Sequence, residues 1–382
     1  MRVVFWGTYE SQYDRNRILV SGLRAAGVEV VEIHSPVLEK SRFKTDALKS
    51  PFKLMSLGFR FIVSYGSLII RYLRTSNHDI MFVGYLGYLD IFVAWPLAKL
   101  RGKPLVFDAF ISLYDTVVND RKIFKQSSLP AWFCRWFDRS ACFLADRVLL
   151  DTQSHADFFA EIYDLPPDHF LPVWVGADVT YYRGQDKKGP KIPSNRPLRI
   201  LHYSKFAPLH GIEFMLRAAK ELEGDPSIEF WLVGSGQSES DLEELICGLE
   251  LKNLRRFGWQ DPDELAQMIF EADILLGVFG TSGKAARVIP NKVYQSMALG
   301  KPIITGDGPG PRELLVHKEN AYLCPMGDSK AIADAIGVLK DDEKLRRKLG
   351  LGASDSFWSI ATPQKIGELL RDDWDENFFA LA

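Results

Sequence analysis

The feature that most constrains this chain is a strand–helix alternation that runs twice. Short apolar runs at 2–6, 28–33, 79–83, 104–108 and 147–151 read as strands, with helical stretches near 91–100 and 132–145. Residues 15–26 place Ile18, Leu19, Gly22, Leu23 and Ala26 on one helical face, and Gly27 ends the segment. After 197 the alternation restarts. Strands are predicted at 198–202, 228–233, 254–257, 274–277, 302–305 and 321–324. Helices are predicted at 212–222, 240–249, 263–272, 291–299, 329–340 and 343–350. Such alternation implies parallel sheets covered by helices on both faces. The stretch GQDKKGPKIPSNRP (184–197) has almost no apolar content and reads as a linker. The expected architecture is therefore α/β: two Rossmann-like domains with parallel sheets facing across a cleft. Their bounds are 1–183 and 198–358, with a helical segment at 359–382 returning to the first. Ligands of such sheets bind at the strands' carboxyl ends, and a cleft there suits two substrates.

Composition narrows the function. A chain of 382 residues is comfortable for two cores. A formal net charge of −2 gives no sign of nucleic-acid binding. The cysteines, Cys134, Cys142, Cys247 and Cys324, form no C-x-x-C pair, so buried reduced thiols are expected rather than zinc or redox chemistry. The opening MRVVFWGTYE lacks a signal-peptide pattern, which favours a cytoplasmic location. It also lacks the fingerprint glycines of a dinucleotide fold. In 59–73, Arg60 and Arg71 bracket an apolar run too short to span a bilayer.

Three segments carry chemistry. In SKFAPLHGIEFMLRAAK (204–220) a strand runs through a turn into an amphipathic helix. Lys205 and His210 flank that turn and Gly211 permits close backbone approach, so the helix start can take an anion, or His210 merely caps it. WLVGSGQSESDLEEL (231–245) ends a strand in Gly234-x-Gly236, which suits a ligand or only a tight turn. In RVIPNKVYQSMALGKPIITGDGPGPREL (287–314) a helix bearing Lys292 and Gln295 precedes a strand. The loop that follows, with Gly308 and Gly310, offers backbone amides suited to phosphate or sugar hydroxyls.

With these motifs in place, the chain resembles family 4 of the retaining glycosyltransferases, which have the GT-B fold. The resemblance is strongest over 198–350. S-K-F-A-P-L-H-G stands where the family reads G-R-L-x-x-x-K-G, so Lys205 matches its Arg and His210 its Lys. Leu232–Gly236 matches L-V-G-x-G, and the A-x-G-x-P-V-I motif falls at 298–304. Weaker likenesses are GTYESQYDRNRILVSGLRAAGVEV (7–30), LLDTQSHADFF (149–159) and VGAD (175–178). Two family glutamates are absent: their positions hold Arg287 and Gln295. Gln295 can still hydrogen-bond a ribose hydroxyl, without charge assistance. Arg287 and Lys292 can face a diphosphate. Of the family's His–Asp pair only Asp108 remains, with Phe107 in the His position, making Asp108 and Asp115 the carboxylates of interest, although a loop aspartate such as Asp115 often only caps a turn.

The resemblance implies transfer of a sugar, with retention, from a nucleotide-diphosphate sugar to a saccharide or lipid-linked acceptor. The base is expected near Gly234–Gly236 and Gly258–Trp259. The ribose would meet Gln295, and the diphosphate Lys205, His210 and loop amides including that of Gly7. Asp108, Lys205 and His210 are the expected catalytic set, with no cofactor and no metal, since no Asp-x-Asp is convincingly placed. Segment 40–74 sets Lys40, Arg42, Lys44, Lys49, Lys53, Arg60, Arg71 and Arg74 among Phe52, Leu54, Leu57, Phe59 and Phe61, with Asp46 the single acid. It fits either peripheral contact with the inner face of an anionic membrane or a helix on the domain core. Two competing readings remain: a silent GT-B partner protein, favoured by the missing glutamates, and a sugar-nucleotide epimerase.

Overall fold

The computed structural model describes residues 1–37, 51–182 and 196–379. The linker stretch at 184–195 and the cations Lys40, Arg42, Lys44 and Lys49 therefore lie outside the described residues, as does Asp46. So do the side chains of Phe52, Lys53, Leu54 and Leu57.

The chain forms two compact units. The first contains Met1–Thr116, Phe124–Trp174 and Pro363–Ala382; the second contains Val117–Ile123 and Val175–Thr362. In the first, β1 (Arg2–Gly7), α1 (Asp14–Ala25), β2 (Glu29–His34), α2 (Pro51–Arg74), β3 (Ile80–Val83) and α3 (Asp90–Leu100) open the alternation. It continues with β4 (Leu105–Asp108), α4 (Leu129–Leu144), β5 (Arg147–Leu150), α5 (Gln153–Tyr163) and β6 (Phe170–Pro172). The six strands are parallel, in the order β2-β1-β3-β4-β5-β6. Alternate residues feed opposite faces. Val4 and Trp6 join one core with Ile91 of α3 and Phe159 of α5, and Val3 and Phe5 join the other with Leu19 and Leu23 of α1. Burial on both faces is why these strands read as continuous apolar runs.

The second unit contains β7 (Leu198–Ser204), α6 (Ile212–Glu221), β8 (Ile228–Gly234), α7 (Glu239–Leu249), β9 (Leu254–Phe257) and α8 (Pro262–Glu271). Next come β10 (Ile274–Leu276), α9 (Gly283–Arg287), α10 (Asn291–Ala298), β11 (Ile303–Gly306) and α11 (Pro309–Arg312). It ends with β12 (Tyr322–Cys324), α12 (Ser329–Asp341) and α13 (Glu343–Ser356). Its parallel sheet runs β12-β11-β10-β7-β8-β9. The last helix, α14 (Pro363–Trp374), packs on α1 in the first unit, burying Ile366, Leu370 and Trp374.

All four cysteines are free thiols. Three are buried as expected, but Cys247 is exposed. It lies on α7, whose single buried residue is Leu242.

Candidate functional site

In the second sheet β7 lies between β8 and β10, the point at which strand order reverses. The carboxyl ends of β7 and β10 are therefore where an open α/β sheet takes its ligand. Two loops meet there. The Phe279 amide donates to the His210 carbonyl at 3.1 Å, and that of Gly280 to the Leu209 carbonyl at 3.2 Å. Gly211 makes this junction possible. Its φ is +61°, and a Cβ there would lie 2.5 Å from the Gly280 nitrogen.

Lys292, in the first turn of α10, points into this junction and is only 5% exposed. Its Nζ lies 3.2 Å from His202 Nε2, 3.4 Å from His210 Nδ1 and 3.5 Å from the Gly277 carbonyl. None of these partners is a carboxylate. Burial holds the Lys292 amine well below its ordinary range. Burial, then the lysine, does the same to the His202 and His210 imidazoles. The cluster is thus basic and poorly hydrated, with no internal anion. A diphosphate would supply the missing charge where Coulombic attraction is strong.

The other residues expected at the donor site fall around these loops in the same unit. Gln295, one turn beyond Lys292 on α10, accepts a 2.6 Å hydrogen bond from the Tyr203 hydroxyl at Oε1. Lys205 is exposed at the end of β7. Backbone contacts account for most of the glycines. A Cβ on Gly234 would meet the Ser204 carbonyl oxygen at 2.0 Å, and one on Gly236 that of Lys205 at 2.1 Å. A Cβ on Gly308 would lie 2.7 Å from the Ala286 oxygen, and one on Gly310 2.1 Å from the Arg287 oxygen. Those two contacts let α11 lie against α9, which ends in Arg287. Gly258 differs: nothing lies within 4 Å of the position its Cβ would take.

In the first unit, Asp108 ends β4 fully buried and ion-paired with an equally buried Arg15 at 3.0 Å. Arg15 also donates to the carbonyls of Val173 and Trp174. Burial raises the Asp108 carboxyl despite the guanidinium. A carboxylate so enclosed ties α1 to the strand ends. Asp115 is likewise buried, its amide donating to Ser112 Oγ. At Gly7, with φ +136°, a Cβ would fall 2.3 Å from Asp90 Oδ2. Asp90 also accepts from the Thr8 amide at 2.7 Å and from the Thr8 and Tyr65 hydroxyls. The turn after β1 thus already holds an internal carboxylate, which burial raises to about 6.

Sequence reasoning named Lys292, His210 and Gly211, which the fold brings together. It passed over His202, Asp90 and Arg15. A histidine inside LRILHYS carries no signal, because its partner Lys292 is ninety positions away. Among the described residues, no group of three or more His, Cys, Asp or Glu side chains is placed to hold a metal ion.

Two Rossmann-like units with sheets of this order define the GT-B fold. Residues 184–355 match the family model described as Glycosyl transferases group 1. The lipopolysaccharide core biosynthesis glycosyltransferase LpsD of Rhizobium meliloti is 27% identical over 179 residues, covering 47% of this chain and 49% of that protein. N-acetyl-alpha-D-glucosaminyl L-malate synthase of Bacillus anthracis is 27% identical over 184 residues, 46% of each chain. The match thus spans about half the length of these curated relatives. Among solved structures, Anabaena HepE in complex with UDP-glucose superposes with a TM-score of 0.69 at 16% identity, covering 98% of this chain and 100% of that one.

Proposed function

We propose that the chain is a glycosyltransferase moving a sugar from a nucleotide-diphosphate sugar to a saccharide or lipid-linked saccharide. The reaction proceeds with retention and needs no divalent metal. The observation that carries this reading is Lys292, a buried amine with no carboxylate partner at the switch point of β7 and β10. The region matching Glycosyl transferases group 1 surrounds it, and relatives named as glycosyltransferases support the activity. The donor diphosphate would rest on Lys292, His210 and Lys205, with its ribose near Gln295 and its base near Gly258. As the nucleotide leaves, charge grows on the phosphate, and fixed cations and amides stabilise it. Asp108 and Gly7 serve the acceptor-binding unit by holding its loops. Segment 40–74 belongs to the same reading as a peripheral contact with a membrane that supplies the acceptor.

The test is incubation with a panel of nucleotide sugars, with and without a chelator. Slow hydrolysis or transfer in both conditions, with the anomeric configuration kept, supports the proposal. Loss on chelation, restored by magnesium or manganese, removes the metal-independent part. Isomerised sugar identifies an epimerase. Neither binding nor turnover identifies a silent partner protein, the reading that Gln295 and Arg287 favour by replacing two carboxylates.

A further inference from the structure

The helices α2, α3 and α4 cover the same face of the first sheet, since the core on that face takes Leu68 and Tyr72 from α2, Ile91 and Ala94 from α3, and Ala141 and Cys142 from α4. They are neighbours across it. Arg101, just beyond α3, donates to the carbonyls of Leu73 and Thr75 at the end of α2. Phe92 of α3 stacks on Phe137 of α4. Helices in such a position normally present a polar side to water. These do not.

On α2 the exposed side carries Met55, Phe59, Ile62, Val63 and Ile70, spaced as one helical stripe, with Phe59 67% exposed. On α4 it carries Leu129, Trp132, Phe133, Trp136 and Phe143, again one stripe, with Trp132 63% exposed. Trp95 and Leu100 of α3 continue the surface. Both faces of α2 and α4 are thus apolar, one towards the sheet and one outward. Exposed patches of this kind mark interaction surfaces.

Charge selects the occupant. The acids on these helices are Asp90 and Asp138, and both are fully buried. The cations at the surface are Arg71 and Arg74 on α2, Lys99 on α3, and Arg135 and Arg139 on α4, while Arg60 of α2 is half-buried and donates to the Val37 carbonyl. Outward aromatic and aliphatic side chains interleaved with arginines, with no exposed acid on the helices themselves and Asp146, just beyond α4, paired with Lys99, match an anionic lipid interface. There the rings sit at headgroup level and the cations meet phosphate. No described helix is long and apolar enough to cross a membrane, so contact is along the surface.

We propose that the outer face of α2, α3 and α4 binds an anionic bilayer, with the tryptophans of α4 as its anchor. This places the contact on three helices of the folded unit rather than on the 40–74 segment alone. It rests on the membrane contact proposed above for 40–74, which contains α2, and extends it to α3 and α4; it does not require turnover, since a protein without transfer activity would carry the same face.

The test is co-sedimentation of the full chain with vesicles of about three parts phosphatidylcholine to one part phosphatidylglycerol, against phosphatidylcholine alone. Binding to the anionic vesicles that weakens with added salt is expected, with Trp132→Ser/Trp136→Ser lowering it by about tenfold or more. Phe59→Ser/Ile62→Ser on α2 should weaken it independently. Each variant is first shown to keep the wild-type thermal shift with nucleoside diphosphates, or the wild-type melting curve if none binds, so that loss of lipid binding is not loss of folding. Binding unaffected by either pair of substitutions, or equal on neutral and anionic vesicles, overturns the proposal. So does a chain that ignores vesicles but sediments as a dimer, and becomes monomeric with Trp132→Ser/Trp136→Ser; a second copy would then cover this face.

Discussion

In the proposed donor site, Lys292 sets a stability cost against a function within one side chain. Its amine is held well below the ordinary 10.5 by burial. Across the window between the depressed value and 10.5, the unfolded chain binds more protons than the folded one. Stability therefore rises with pH there, and at neutral pH the buried amine is a net cost. Lys292→Met keeps the volume and removes that cost. We expect a higher Tm by calorimetry, by roughly 2–4 °C per kcal/mol for a unit of this size. Nucleoside diphosphate affinity should fall about 10–100-fold, the usual worth of a charged hydrogen bond. A lower Tm with unchanged affinity would sink the assignment. The same depression predicts proton uptake. A bound diphosphate raises the amine's pKa, so affinity should increase as pH falls through the window between the raised and the depressed values. Titration calorimetry in buffers of different ionisation enthalpy measures those protons directly, and no buffer dependence at any pH would count against Lys292 as the phosphate ligand.

At the scale of elements, the site depends on two loops held backbone to backbone after β7 and β10. Gly211→Ala would place a left-handed alanine there, costing about 1 kcal/mol or more by itself. It would also drive a Cβ to 2.5 Å from the Gly280 nitrogen. We expect a loss of about 2–4 kcal/mol in denaturant unfolding, within the range for strain plus overpacking, and weakened nucleotide binding. Gly258→Ala is the control: the position is open, so stability should hold within about 0.5 kcal/mol. Any change in nucleotide affinity there then reports ligand approach. These elements were largely legible in the sequence. Parallel strands buried on both faces leave unbroken apolar runs, so RVVFWG and IEFWLVG announce themselves. β6 did not, because FLP is three residues long and ends in a proline at the sheet's edge. The candidate site's cations and glycines were legible because they share short motifs. The pairing of Lys292 with His202, and of Gly7 with Asp90, was not. It arises from strand order, which spacing along the chain does not encode.

At the scale of the molecule, chain connectivity leaves the first unit incomplete until the second has been made. Its final segment, Pro363–Ala382, follows Val175–Thr362 of the other unit. That segment is no accessory. Trp374 is fully buried among Phe5, Phe82, Ile366 and Leu370. Gly22 and Gly367 let α1 and α14 touch, since a Cβ on Gly367 would lie 1.9 Å from the Gly22 oxygen. Arg371 donates to the Ala26 carbonyl at the end of α1, and Asp373 pairs with Arg147. Trp374→Ala should cost about 3–5 kcal/mol, as large-to-small core changes do. That is a large share of the roughly 5–15 kcal/mol a domain has. Because each unit has its own core, we expect two calorimetric transitions, with Trp374→Ala lowering only the first unit's. A nucleoside diphosphate at about 100 times its Kd should still raise the other by about 2.7 kcal/mol. Gly367→Leu, which separates α1 from α14 without removing the tryptophan, should reproduce the selective loss. One transition that both variants and ligand move together would mean that the units unfold as one, and the division of stability proposed here would fail.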